Sequence, residues 1–206
     1  MTPVADNWTI VVIGCWNTRL IGIPWISRNL FGGAEVTGEF PVTPGYPPRY
    51  SAGRIQILPT EDRLVFRVQE ATDQALGELE TKAVQTLELL AHTPVQAVGL
   101  NLGFREANPF PELAALFERA DLGKVLQAGY ELKGAGFMYS LERAGGLMNL
   151  ALTRSEAGID LAVNYDWRVE TAVAAAECIR SRALTLKTEA LDLIQKAYGL
   201  ALEEEA

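Results

Sequence analysis

Residues 159–165, Ile-Asp-Leu-Ala-Val-Asn-Tyr, alternate between large apolar side chains and small or polar ones. Successive side chains of a β-strand point to opposite faces, so the four large apolar residues of this stretch share one face of a predicted strand. Such alternation is typical of an antiparallel sheet that is covered on one face and open to solvent on the other. The stretch therefore predicts a sheet with one apolar face and one polar face.

The sequence on both sides of this stretch predicts a unit with the order β-α-β-β-β-α. An apolar run opens the unit, a proline-containing segment at 108–111 starts a short helix, and glycine-containing turns separate the later strands. An apolar stripe at helical spacing marks the final helix. The predicted elements are a strand at 95–104, a short helix from 108, strands at about 130–142, 147–154 and 159–165, and a long helix at about 168–202.

The first half of the chain predicts the same order of elements. Its opening strand contains a β-branched run at 10–13, and Thr72 is the expected N-cap of its long helix. Residues 32–53 are rich in glycine and proline, so most of this segment is expected to be an exposed loop. The predicted elements are a strand at 8–16, a short helix at 24–31, strands near 35–40, 54–58 and 63–69, and a helix at 72–91.

The matching order in 8–91 and 95–206 predicts an internal duplication. We expect an α+β protein of two β-α-β-β-β-α units, 1–92 and 93–206, related by an approximate twofold axis. They would form one compact body with a curved, mainly antiparallel sheet and the long helices on one face. In topology this plan resembles that of TATA-binding-protein-like folds, although no motif residues match and the predicted sheet lacks the basic character of a DNA-binding surface.

Charge and hydropathy disfavour two classes of partner. The 206 residues carry a formal net charge of −8, with a pI near 4.8, so a duplex nucleic acid would meet net repulsion. The sequence contains neither a signal peptide nor an apolar run long enough to span a bilayer. A cytoplasmic protein with no membrane partner is therefore expected. Nucleic-acid binding through Arg54, Arg63 and Arg67 is a third hypothesis that the net charge disfavours.

The sequence contains no motif that specifies an enzyme. It has no P-loop, no GxSxG or HExxH motif and no dinucleotide-binding glycine pattern. His92 is the one histidine, and the two cysteines, Cys15 and Cys178, fall in a predicted strand and a predicted helix, where we expect them to be buried. No catalytic residue, metal site or cofactor is predicted, and a non-enzymatic role is favoured over an enzymatic one.

Two surfaces are predicted to make contacts. The proline-rich loop presents Tyr46 and Tyr50, and the open face of the sheet presents Arg54, Arg63 and Arg67. The second half contributes a different set to that face, namely Ser140, Glu142, Asn149, Thr153, Asp160 and Asn164. An ordinary solvated face would carry the same residue types, so the pattern by itself does not identify a partner.

Two functional hypotheses follow. The first is an interaction or assembly protein that binds itself or a protein partner through the open sheet face and the proline-aromatic loop. The alternative is a small-molecule-binding module or an unrecognised enzyme with a cleft between its halves. In that case polar residues at matching strand ends would converge on a polar or anionic ligand, namely Asn17, Arg19, Asn101 and Arg105. These four side chains could equally serve as loop caps.

Overall fold

The computed structural model describes residues 1–42, 46–118, 121–143 and 145–203. In these ranges the chain forms helices and a single ten-stranded sheet in which every strand pair is antiparallel. This confirms the predicted α+β class and the predicted antiparallel sheet. None of the described helices has both the length and the apolar character that crossing a bilayer requires.

The strands are numbered in chain order: β1 (Thr2–Pro3), β2 (Thr9–Gly14), β3 (Thr37–Glu39), β4 (Arg49–Ala52), β5 (Ile55–Pro59), β6 (Arg63–Val68), β7 (Val95–Glu106), β8 (Ala135–Arg143), β9 (Gly146–Ser155) and β10 (Gly158–Arg168). The helices are α1 (Ile23–Leu30), α2 (Asp73–Leu89), α3 (Pro111–Ala115), α4 (Leu122–Gln127), α5 (Ala172–Ile179) and α6 (Ala183–Tyr198), and a short 3-10 helix covers Ala5–Asn7.

Strands β2 and β7 lie next to each other in the middle of the sheet. The spatial order is β3-β4-β5-β6-β2-β7-β10-β9-β8, and β1 pairs with the far end of β7. Outward from the middle, one side therefore runs β6, β5, β4, β3, and the other side runs β10, β9, β8. Strand β8 forms one edge of the sheet and the much shorter β3 forms the other.

The core lies between the sheet and the helices that contact it. Alternate residues of most inner strands are buried, such as Ile10 and Val12 of β2 and Leu64 and Phe66 of β6. Helix α2 contacts β2, β5 and β6, and α5 contacts β7; α2 also contacts α5 and α6. The predicted N-cap of α2 is confirmed, because the Thr72 hydroxyl accepts a hydrogen bond from the Ala75 N–H at 3.2 Å.

The last predicted helix is divided into two. Strand β10 continues to Arg168, α5 ends at Ile179 and α6 begins at Ala183, with Ser181 between them at a left-handed φ of 58°. The half-buried Glu80 of α2 explains the break, since its carboxylate accepts hydrogen bonds from the backbone N–H groups of Ser181, Arg182 and Ala183 at 2.6, 2.9 and 2.7 Å. A carboxylate from another helix thus caps the first turn of α6.

The segment predicted as a proline-rich loop contains an additional strand. Strand β4 pairs with both β3 and β5, so the first half has four strands after α1 where three were predicted. Two prolines, Pro47 and Pro48, come directly before β4, where they cost the ladder no hydrogen bond. In the second half the strand predicted from residue 130 begins only at Ala135, and α4 was not predicted.

We predict that Glu80→Ala lowers the free energy of unfolding by about 1–3 kcal/mol, because three backbone donors at the start of α6 lose their acceptor. Urea denaturation followed by circular dichroism measures this. The matched control is Glu78→Ala in the same helix, whose carboxylate has no hydrogen-bond or ion-pair partner among the described residues. Equal destabilisation by the two variants would contradict the capping role.

Candidate functional site

Nine polar side chains form one continuous row across the sheet. The row takes one residue from each strand except β1, and consecutive members face each other in the strand registers. We call this set the polar row: Thr37, Ser51, Gln56, Arg67, Thr9, Asn101, Asn164, Asn149 and Ser140. Directly opposed residues point to the same face of a sheet, so the polar row marks the face opposite the buried strand side chains.

A chain of hydrogen bonds joins the second-half members of the polar row to β2. Ser140 Oγ donates to Asn149 Oδ1 at 2.7 Å, and Asn149 Nδ2 donates to Asn164 Oδ1 at 3.0 Å. Asn164 Nδ2 then donates to Asn101 Oδ1 at 2.8 Å, and Asn101 Nδ2 donates to Thr9 Oγ1 at 2.9 Å. Asparagine is disfavoured in strands, and these side-chain bonds across five strands account for its repeated use here.

The first-half members of the polar row also satisfy one another. Arg67 Nη2 donates to Gln56 Oε1, and Gln56 Nε2 donates to Ser51 Oγ at 3.1 Å. Arg67 also pairs with Asp6 of the short 3-10 helix at 2.9 Å. The amide of Gln56 therefore both accepts and donates a hydrogen bond inside the molecule, and the residue is buried.

The three arginines predicted as a contact surface each have a carboxylate partner within the chain. Arg54 pairs with Glu70 at 3.8 Å, Arg63 with Asp62 at 3.0 Å and Arg67 with Asp6 at 2.9 Å. The hydrogen bond from the Arg63 guanidinium is the main reason why the pKa of Asp62 falls to about 2. The structure thus places these arginines in local ion pairs, and the first half of the face presents little unpaired positive charge.

The proline-aromatic loop exposes one of its two predicted tyrosines. Tyr46 is 64% exposed, and the neighbouring Phe40 is 65% exposed. Tyr50 is only 6% exposed, because it lies in β4 opposite Ile57 and points toward the core, and this burial raises the pKa of its hydroxyl. Tyr50 is therefore unavailable for the surface contact that the sequence predicted. Residues 43–45 of this loop lie outside the described residues.

The four residues of the alternative ligand site are not brought together. Thr9 faces Asn101 and Gly14 faces Val95, so the turn that carries Asn17 lies roughly 20 Å from Asn101 along the strands. The cause is the antiparallel pairing of β2 with β7, which puts equivalent strand ends at opposite sides of the sheet. Arg105 instead forms a two-pronged ion pair with Asp160, at 2.6 and 3.1 Å, and the hydrogen bond to Asp160 raises the pKa of Arg105.

Asn17 and Arg19 do lie close together, in the turn after β2. They line an open depression of about 570 Å³ together with Cys15 and Glu61. The Asn17 Oδ1 accepts a hydrogen bond from the Arg19 N–H at 3.2 Å, which is a local turn contact. Cys15 is exposed, contrary to the expectation of burial, because β2 ends one residue before it; Cys178 is half-buried in α5.

Exposed apolar side chains concentrate around strand β8. Nine of the 17 large hydrophobic side chains that are exposed among the described residues fall within residues 116–147, a small part of the chain. In β8 itself, Met138 is 63% exposed and Tyr139 is 51% exposed, although they point to opposite faces. A concentration of exposed apolar side chains is typical of surfaces that contact another molecule.

The sequence of β8 contains an apolar pattern that is related to this surface. In the run Phe137-Met138-Tyr139 neither face is polar, which is typical of a central strand rather than an edge strand. The structure instead places β8 at the edge of the sheet. The position of β8 in the strand order must therefore be known before its apolar pattern indicates an exposed strand that could contact another molecule.

No protein-family model and no curated protein matches this sequence. Within the described ranges, no group of three or more histidine, cysteine, aspartate or glutamate side chains is arranged to hold a metal ion. Sequence similarity therefore gives no indication of what the chain does, and the geometry of its surface is the available guide.

We predict that Asn164→Val lowers the free energy of unfolding by about 1–2 kcal/mol, because Asn164 makes two hydrogen bonds in the polar row and its neighbours would lose a partner. The control is Thr153→Val on β9, which removes a polar group from the same face without a described hydrogen bond. We expect the control to change stability by less than about 0.5 kcal/mol. Denaturant unfolding of both variants tests this, and equal effects would contradict a structural role for the row.

Proposed function

We propose that this chain is a non-enzymatic interaction or assembly protein that binds itself or a protein partner through strand β8 and the sheet face beside it. The observation that carries the proposal is the nine-residue edge strand with exposed apolar side chains on both faces. An edge strand has unpaired backbone N–H and C=O groups, and another polypeptide chain can satisfy them. Apolar side chains would supply the buried area that such a contact needs.

A protein partner fits this surface better than a small molecule does. The depressions beside the described residues are open, and none brings together the four polar residues proposed for a ligand. A drug-sized ligand is usually enclosed by a concave, largely apolar site with a few convergent polar groups. Strand β8 is instead an extended strand at the edge of the sheet, and this shape suits pairing with another extended segment.

The proline-aromatic loop is a second part of this proposed surface. Phe40 and Tyr46 are exposed at the opposite edge of the sheet, where Tyr46 and Arg49 line an open depression of about 330 Å³ with Pro41. Aromatic side chains add large contact area at low conformational cost. The three arginines would contribute orientation rather than affinity, since each already has a carboxylate partner.

We also infer that the two halves arose by internal duplication. The matching positions of β6 and β10, β5 and β9, and β4 and β8 on the two sides of the central β2–β7 pair support this. The contacts of α2 with first-half strands and of α5 with β7 support a placement of the long helices on one face. This arrangement resembles, in plan only, the TATA-binding-protein-like folds.

We predict that a photoreactive amino acid at Met138 or at Leu147 forms covalent adducts with protein when the chain is irradiated inside cells that produce it. The control position is Gln74, an exposed residue of α2 outside the proposed surface. Mass spectrometry of the adducts distinguishes a second copy of the chain from another protein. If no protein adduct forms at Met138 or Leu147, or if Gln74 gives the same products, the proposed surface is wrong.

A further inference from the structure

The two edges of the sheet differ in length and in protection. At one edge, β3 has three residues, and Pro41, Pro47 and Pro48 lie in the segment between it and β4. Short strands and prolines protect an edge from pairing with other chains. At the other edge, β8 has nine residues and no proline, and no strand in the described ranges pairs with its outer side. Strand β8 therefore lacks the two devices, shortness and proline, that protect β3.

Alternate residues of β8 direct their backbone groups away from β9. Arg143 faces Gly146 with only two residues between them, which makes these two a hydrogen-bonded pair. Hydrogen-bonded and non-hydrogen-bonded pairs alternate along an antiparallel ladder. The outward N–H and C=O groups therefore belong to Gly136, Met138, Ser140 and Glu142.

We propose that β8 pairs antiparallel with β8 of a second copy of this chain, around a twofold axis at Tyr139, so that two sheets join into one. This rests on the proposed function and names its partner. The outward backbone groups of each copy then meet those of the other, because Met138 faces Ser140 and Gly136 faces Glu142 across the axis. On the other face, Phe137 faces Leu141, and the two Tyr139 side chains face each other.

The residues of β8 favour this register over its neighbours. Pairing around Tyr139 overlaps all nine residues and places Glu142 opposite Gly136 and Arg143 opposite Ala135, so no like charges face each other. A shift of two residues in either direction shortens the overlap by the same amount. In one direction it brings Arg143 opposite Lys133, which precedes the strand and has the same charge, and in the other it brings Arg143 opposite Phe137. A shift of one residue is excluded because it would pair side chains on opposite faces.

The segment that leads into β8 would enlarge the contact. Its exposed apolar side chains lie directly before the strand in the chain. They are Leu116, Val125, Leu126, Tyr130 and Leu132. A stable dimer buries about 1,200 Å² or more in total, and a nine-residue strand pair is only about 30 Å long. Burial of these residues in the dimer would supply area that the strand pair alone lacks.

The first test uses charge at the axis. Tyr139→Lys places two ammonium groups opposite each other, Tyr139→Glu places two carboxylates there, and an equimolar mixture places lysine opposite glutamate. We expect wild type to have about twice the monomer mass of 22.5 kDa by light scattering. Each single variant should weaken the dimer about tenfold, and the mixture should restore it. The matched control, Val173→Lys, changes a similarly exposed apolar side chain of α5, outside both parts of the proposed surface, and should leave the dimer intact.

A second test does not depend on how well the charged variants fold. Facing non-hydrogen-bonded residues bring their Cα atoms to about 4.5 Å, within the range for a disulfide. Tyr139→Cys, with Cys15→Ser and Cys178→Ser to remove the native thiols, should give a covalent dimer on mild oxidation. Val173→Cys in the same background should not.

Three results would overturn self-pairing at Tyr139. They are a wild type that stays monomeric at every concentration, a dimer that both charged variants leave unchanged, and a mixture of the two charged variants that stays monomeric. Photoadducts at Met138 with a different protein, together with a monomeric wild type, would overturn self-pairing and leave the proposed interaction role standing. The two proposals therefore fail separately.

Discussion

The antiparallel pairing of β2 with β7 is the contact on which the rest of the structure depends. It joins the strands of the two halves into one sheet, and its register places Thr9 opposite Asn101. From that single pair the remaining members of the polar row follow, because each neighbouring strand adds one residue at the same level. Because the pairing is antiparallel, the C-terminal end of β2 and the C-terminal end of β7 lie at opposite sides of the sheet. A shared site at those ends is therefore ruled out by strand direction, whatever residues are placed there.

An open sheet of this kind has two edges, and their difference follows from the local sequence. The first half continues beyond β4 to a three-residue strand in a proline-rich segment, which ends the sheet with little free backbone. The second half stops at β8, a strand one position closer to the centre, with no such extension. Strand β8 therefore has backbone N–H and C=O groups on its outer side that no described strand pairs with. It also has apolar side chains on both faces. This combination suits the proposed pairing with another extended strand better than it suits binding of a small molecule in a pocket.

Local patterns in the sequence predicted much of the fold, and long-range pairing accounts for what they missed. Alternation placed Asn149 and Asn164 correctly on the polar face, since it depends only on neighbouring residues. Asn101 was instead assigned to a strand end, because its partners lie on β2 and β10, far away in the chain. The sequence predicts a loop at Tyr50 because Pro47 and Pro48, which disfavour a strand, come directly before β4. The break after α5 depends on Glu80, about a hundred residues earlier, which no helical pattern could indicate.

The polar row links the exposed strand to the strands beside it through side-chain hydrogen bonds, and this connects the interior of the sheet with the proposed contact. A slip of one residue between strands would turn Asn149 or Asn164 to the other face, and a slip of two would separate the amides that now bond at 2.8 and 3.0 Å. The hydrogen bond from Ser140 extends this control of register to β8 itself. A partner strand of the kind proposed would therefore meet an edge whose register is already set, and less conformational entropy would be lost on pairing. The side-chain bonds of the row do not involve the outer backbone groups of β8.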